Sequence, residues 1–175
     1  MQRDHGSFLS SGGYGLNILI REASNADLPH LGRLGALLVQ EHHDFDKQRF
    51  LAAKTRTPQD YASFLGARLE DRDAVVLVAE TKGETIGYAY AEIEGYDYMS
   101  LRGPAGVLND LIVDPAYRGQ GAGSLLLDAI ITRLKSRGVP RVVLSTAAKN
   151  ISAQRLFERT GFRPTMIEMT RELED

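Results

Sequence analysis

An α/β fold is predicted by three observations in this 175-residue chain. Apolar residues recur at helical spacing in segments that alternate with β-branched runs. Residues 107–145 follow a strand–turn–helix–strand order that reads as a parallel crossover. A glycine-punctuated turn, Tyr117-Arg118-Gly119-Gln120-Gly121-Ala122-Gly123-Ser124, sits at the carboxyl end of the crossover's first strand, where open α/β sheets bind ligands. With 43% apolar and 25% charged residues, the chain suits one compact domain with a real core.

Residues 1–16 carry Gly6, Ser7, Ser10, Ser11, Gly12, Gly13 and Gly15 and no sustained apolar period, so they read as a flexible arm ahead of a single domain over 17–175. Asn-Ile-Leu-Ile-Arg-Glu at 17–22 suits a first strand. Ser24 or Asn25 then caps a helix from about 26 to 40, with Leu31, Leu34, Leu37 and Leu38 as its buried face. A second helix starts at Thr57-Pro58-Gln59-Asp60: Thr57 can cap, Pro58 loses nothing at the first position, and Asp60 meets the positive end of the helix. Tyr61, Phe64, Leu65 and Leu69 continue it at helical spacing. The β-rich runs 74–80 and 85–94 are joined by Thr81-Lys82-Gly83-Glu84, a hairpin with Gly83 at the turn. After a glycine- and tyrosine-bearing connection at 96–106 come the strand 107–113, the glycine turn, and a helix striped by Leu126, Leu127, Ile130, Ile131 and Leu134 opposite Arg133, Lys135 and Arg137. Gly138 ends that helix. The run 141–145 is apolar on consecutive residues, the pattern of a strand buried on both faces.

The turn says most about function. Alternating glycines admit backbone conformations closed to other residues, so successive N–H groups converge on one anion, and the following helix adds its positive end and unpaired donors. The spacing is not G-x-G-x-x-G, no carboxylate near 139–140 awaits a ribose, and no Lys-Ser or Lys-Thr pair follows, which excludes dinucleotide and triphosphate loops. Arg118 either grips a phosphate or fixes the turn through carbonyl bonds.

Arg118, Gly121 and Gly123 form an Arg-x-x-Gly-x-Gly pattern preceded by Leu-Ile-Val-Asp-Pro at 111–115. This resembles the pyrophosphate loop of the GCN5-related N-acetyltransferase (GNAT) family, and the segment 150–162, from Asn150 to Phe162, resembles the family's later helix and the strand after it. The resemblance implies a central mixed, mostly antiparallel twisted sheet flanked by helices, with a splayed parallel strand pair holding acetyl-CoA as cosubstrate. It implies that main-chain N–H groups of Gly119, Gln120, Gly121, Ala122, Gly123 and Ser124 hold the diphosphate. Main-chain groups of Leu111, Ile112 and Val113, facing the strand 141–146, would bond the pantetheine arm as an added strand would. The N–H near Val113 would polarise the thioester carbonyl. Asn150 bonds the pantetheine chain or only caps its helix. Phe157 stands where many relatives carry a tyrosine that protonates the departing thiolate; it has no proton to give. Ser152, a tyrosine from residues 96–98 or a water is left for that role, and a thiol of pKa about 8.5 leaves with little help.

Polyamine-acetylating relatives place Glu-Asp where this chain has Asn109-Asp110. Asp110 is then the first candidate to drain the amine's proton, with Glu92 and Glu94 on the neighbouring strand next. A bulge decides which of Asn109 and Asp110 points into the cleft, and Asp110 as a purely structural carboxylate is the alternative. The expected reaction is direct acetyl transfer to a primary amine of a small molecule through a tetrahedral intermediate. Acetylation of a peptide or protein amine, or a non-catalytic acyl-CoA-binding module, are the alternatives. The first two helices, the loop between them and residues 96–103 should frame the acceptor. There, the acid-rich stretch Glu41, His42, His43, Asp44, Phe45 and Asp46 either attracts a cation or is a solvated helix end. His42 and His43 point about 100° apart on a helix, and no metal-ligand spacing is visible.

A formal net charge of −2 argues against a general nucleic-acid binder. No tract suits a bilayer span and residues 1–15 lack a signal's apolar core, so a cytoplasmic location is expected. The absence of cysteine removes disulfides, thiolate metal sites and a cysteine acyl-enzyme. Apolar residues near 164–173 suit either a homodimer contact or an ordinary sheet edge.

Overall fold

The computed structural model describes residues 8–9 and 16–173. In chain order they form β1 (Phe8–Leu9), β2 (Leu19–Glu22), a 3-10 turn (Asn25–Asp27), α1 (Leu28–Phe45), α2 (Thr57–Leu69), β3 (Ala74–Thr81) and β4 (Glu84–Glu94). β5 (Ala105–Val113), a 3-10 turn (Pro115–Tyr117), α3 (Ala122–Ser136), β6 (Val142–Leu144) and α4 (Ile151–Arg159) follow. The sheet runs β1-β2-β3-β4-β5-β6, every pair antiparallel except β5 with β6. It is the mixed, mostly antiparallel sheet expected of the sequence. Most of the predicted arm lies outside the described residues; within it, Phe8 and Leu9 pair with Ile20 and Leu19.

Strand periodicity sorts the core into two layers. On β3, Val75, Leu77 and Ala79 face a cluster completed by Leu126, Leu127, Ile130 and Leu134 of α3 and Phe157 of α4. The alternate residues Ala74, Val76 and Val78 join Tyr88, Tyr90 and Ile112 beneath Leu31 and Leu34 of α1 and Leu65 of α2. α1 and α2 approach closely at Gly35, where an added Cβ would lie 2.1 Å from the Tyr61 ring. That contact seats Tyr61 over β5. The β3–β4 turn has φ of 51° at Lys82 and 79° at Gly83, the two left-handed central residues of a tight hairpin.

Three elements depart from the sequence reading. α1 continues to Phe45 because its last turn is held: Asp46 N–H donates to His42 O at 3.2 Å, and the His42 ring meets Phe45 and Phe50 edge-on. β6 is only half-buried, since it is the outermost strand of the sheet and is paired on one side alone. The strand expected after α4 does not form; Phe162 packs on Phe157, and residues 163–173 run exposed without strand pairing among the described residues.

Candidate active site

The site begins with an irregularity in β5. Tyr90 pairs with Asp110 and Ala91 with Leu108, so Asn109 is an extra residue with no partner on β4. This β-bulge puts Asn109 out in solvent and turns Asp110 inward, to 7% exposure. The parallel ladder with β6 covers Gly106–Val142, Val107–Val143 and Leu108–Leu144 and stops at the same place. Beyond it β5 runs on to Val113 paired with β4 only, leaving a gap on the side β6 has vacated.

Main-chain directions follow from the register. Asp114 N–H donates to Ile86 O at 2.8 Å. Antiparallel alternation therefore points the main-chain groups of Ile112 at β4 and those of Leu111 and Val113 into the gap. Ile112 is accordingly removed from the expected gap-lining set; its side chain is buried at 3% exposure in the α1–α2 layer.

The glycine turn closes the top of the gap. Gly119 has φ of 75° and Gly121, the residue capping α3, φ of 91°; neither has a heavy atom within 4 Å of an added Cβ, so backbone conformation alone demands glycine there. Leu125 N–H donates to Gly121 O at 3.0 Å, the first internal bond of α3. The N–H groups of residues 119–124 have no acceptor among the described residues. With no acidic side chain in the first turn of α3, this row of free donors at a helix N-terminus is built for an anion. Arg118 takes the turn-fixing role: its Nε donates to Val113 O at 2.9 Å and Nη2 to Glu41 Oε1 at 2.5 Å.

On the other face, Asp110 Oδ2 accepts from the Tyr61 hydroxyl at 2.9 Å and the Tyr88 hydroxyl at 2.8 Å. Oδ1 accepts nothing from the described residues and keeps solvent contact. Burial raises the Asp110 pKa above the ordinary carboxylate value, against the pull of the two phenols. Burial, then the Asp110 charge, pushes both phenols up, so they stay protonated donors. On α2, next to Tyr61, lies an open surface depression of about 380 Å³ lined by Thr57, Asp60, Tyr61 and Phe64.

The other sequence candidates are drawn elsewhere. Glu92 accepts from the Tyr90 hydroxyl and pairs with Arg68 Nε at 3.0 Å, so it is a tied carboxylate. Glu94 pairs with Arg102 at 2.5 Å. Asn150 is the cap of α4, its Oδ1 accepting from Ala153 N–H and Ser152 Oγ, each at 3.1 Å. Phe157 is buried against Phe162, in the cluster that also holds Val113. Tyr96 and Tyr98 lie exposed in the connection between β4 and β5, which joins β5 at the end opposite the glycine turn. The acid stretch is largely used internally: Glu41 on Arg118, Asp44 with Gln40 at 2.9 Å, and Asp46 with the N–H groups of Gln48 and Arg49. Sequence reasoning passed over Tyr61 and Tyr88 because both sit on apolar faces and read as core; an aromatic residue with a polar tip, aligned with a buried acid, was the available signal. Among the described residues no three His, Cys, Asp or Glu side chains cluster to hold a metal, and no helix is long and apolar enough to cross a membrane.

The sequence profile of the acetyltransferase (GNAT) family matches residues 38–162. YhfO of Bacillus subtilis (strain 168), an uncharacterized N-acetyltransferase, is 32% identical over 145 residues, covering 82% of this chain and 88% of its own. A mycothiol acetyltransferase of Thermobispora bispora is 32% identical over 131 residues, 67% of this chain and 43% of the relative. Among solved structures, a predicted acetyltransferase of Clostridium acetobutylicum with acetyl-CoA superposes with a TM-score of 0.69 at 16% identity, covering 89% of this chain and 96% of its own.

Proposed function

The chain belongs to the acetyltransferase (GNAT) family, and from that premise we propose that it moves acetyl from acetyl-CoA directly to the primary amine of a small molecule. The observation that carries this reading is the juxtaposition of free N–H donors at residues 119–124, the gap beside Leu111 and Val113, and the inward carboxylate of Asp110. The residues fit the cosubstrate: a diphosphate needs converging N–H donors, and a pantetheine arm needs unpaired strand groups.

When bound, acetyl-CoA supplies an activated thioester. The N–H groups of residues 119–124 would hold its diphosphate, each charge-assisted bond contributing about 1.5–3 kcal/mol. Arg118 would hold the turn in shape through Val113 O rather than bind phosphate itself. Leu111 would bond the arm with its gap-facing groups, and Val113 N–H would draw charge onto the carbonyl oxygen. Asp110 Oδ1 would accept the amine's surplus proton, its raised pKa making it a better base than an exposed carboxylate. Tyr61 and Tyr88 would hold that carboxylate in place, and neutral Phe157 leaves the thiolate to depart unaided or with a water's proton.

A small acceptor is favoured by the open depression of about 380 Å³ beside Tyr61, whose lining includes the Asp60 carboxylate. Small amines should therefore be turned over ahead of peptide amines. A thiol-release assay with acetyl-CoA tests this against polyamines, aminoglycosides, amino-acid derivatives and peptides with free α- or ε-amines. Release with peptides alone would transfer the reading to protein acetylation, and release with no amine above hydrolysis would remove catalysis.

A further inference from the structure

A proton taken by Asp110 must leave before the next turnover. In direct acetyl transfer, on which this inference rests, the acceptor ammonium sheds two protons, one before its nitrogen attacks the thioester and one as the C–N bond forms. The departing thiolate keeps one. The other must reach solvent, and Asp110, at 7% exposure with Oδ2 held by two phenols, has one free oxygen to pass it through.

α1 sets an imidazole on that route. Gly35 meets the Tyr61 ring, whose hydroxyl holds Asp110, and His42 stands two turns further on, on the same face of the helix. Between them Leu38 packs in the layer of Tyr88 and Ile112. The adjacent Glu41 reaches Arg118, which bonds Val113 O, so the last turn of α1 overhangs the end of β5 beyond Asp110.

The half-buried His42 ring leans back toward Tyr61. Its Nδ1 lies 2.9 Å from Leu38 O, one turn earlier, and Phe45 and Phe50 grip it edge-on with centroids at 6.1 and 5.2 Å. A carbonyl only accepts, so Nδ1 carries the hydrogen and the lone pair of the neutral ring is on Nε2. Nε2 has no partner among the described residues. Burial and the two phenols aside, what acts on Asp110 is the charge of His42. The charged groups around the ring are engaged: Glu41 with Arg118, Asp44 with Gln40, Asp46 with main-chain N–H groups, and Arg49 with Glu168 and the Phe50 ring. His43, about 100° round the helix, bonds Phe50 O through Nδ1.

We propose that His42 is the proton exit of the site. Through intervening water its Nε2 takes the proton from Asp110 Oδ1: an O–H bond breaks, an N–H bond forms, and the carboxylate is restored for the next amine. The imidazolium then gives the proton to bulk water or buffer.

His42→Gln and His43→Gln form a matched pair. Each amide can still donate to the carbonyl its ring serves, Leu38 O or Phe50 O, but cannot carry a proton. Acetylated product is measured in the full chain with the polyamine, aminoglycoside or amino-acid derivative that the parent turns over fastest. Export follows transfer, so His42→Gln should lower kcat about tenfold and leave kcat/KM unchanged; water still substitutes slowly, which keeps the loss below the roughly 10²–10⁴ of a primary acid–base group. Added imidazole should restore kcat in proportion to its concentration, and should do nothing for the parent or for His43→Gln. If His42→Gln unfolds, His42→Phe, which keeps an aromatic ring against Phe45 and Phe50, replaces it. A parent-like kcat in His42→Gln overturns the proposal, and so does a loss that imidazole does not restore, which would make the ring structural. A parent that acetylates no amine removes the reaction itself, and with it this role, before any variant is made.

Discussion

Replacing Gly121 by alanine tests the anion cradle without adding a clash. At φ of 91° the residue lies in the left-handed region, and no heavy atom stands within 4 Å of the new Cβ. The cost is then conformational, roughly 1–2 kcal/mol. It can be met in two ways. If the surroundings hold the turn, the whole strain lowers stability, and Tm falls by about 2–4 °C for each kcal/mol in a domain of this size. If the turn relaxes, the N–H groups of residues 121–123 swing off their common target, and loss of one charge-assisted bond of about 1.5–3 kcal/mol weakens coenzyme A binding roughly 10- to 100-fold. Gly83 provides the control, since its φ of 79° and open surroundings impose the same penalty in a turn remote from the cradle. Gly83→Ala should lower Tm and leave coenzyme A affinity alone, whereas Gly121→Ala should lose affinity beyond what its Tm explains. Titration calorimetry with coenzyme A and acetyl-CoA, beside thermal unfolding of all three proteins, reads both quantities. Binding by Gly121→Ala as tight as by the parent, together with a Tm no lower than the parent's, would refute the cradle.

Asp110→Asn should keep the fold, because an amide oxygen still accepts from Tyr61 and Tyr88, while lowering kcat about 10²-fold or more. Because burial raises the Asp110 pKa, the parent's acidic limb in kcat/KM should lie above pH 3.8 and vanish in the variant; an unchanged limb assigns the proton to another group. Glu41→Gln frees Arg118 and removes a negative charge near the turn, an exposed pair worth up to about 1 kcal/mol, so coenzyme A should bind as much as about fivefold tighter, with a steeper salt dependence. Weaker binding would mean that Glu41 is needed to hold the turn. Burial raises the pKa of Asp27, but the Arg21 and Ser24 hydrogen bonds outweigh it and bring the value down to about 2. A depressed folded-state pKa gives stability that is fully present above pH 3.8 and is lost as pH falls toward 2; urea midpoints should follow that slope in the parent and flatten in Asp27→Asn.

What the sequence disclosed was local. The glycines at 119 and 121 could be read because their conformations belong to single residues; the start of α2 near Pro58 was legible too, although Arg56 rather than Thr57 holds the cap position and Thr57 Oγ1 accepts from Lys54 N–H instead. Gly83 marked the hairpin for the same reason. The position of the bulge was not legible, since it is a relation between β4 and β5 rather than a property of Asn109; the sequence permitted either residue to point inward. Tyr61, Tyr88 and Asp110 meet across three elements, and Arg118 reaches Glu41 across 77 positions of chain, so neither grouping has a local signature. The apolar run of β6 looked doubly buried because apolar composition reports burial without saying what covers the strand.

The inserted residue at 109 has a consequence out of proportion to its size. Were Asn109 deleted, the ladder with β6 could run on past Leu108 and zip the seam shut as far as the glycine turn. The same deletion would leave Asp110 facing Tyr61 and Tyr88, because Leu108 and Asp110 already pair with the successive residues Ala91 and Tyr90. One codon thus separates a sealed sheet from a cleft open to a thioester on one side and to an amine on the other.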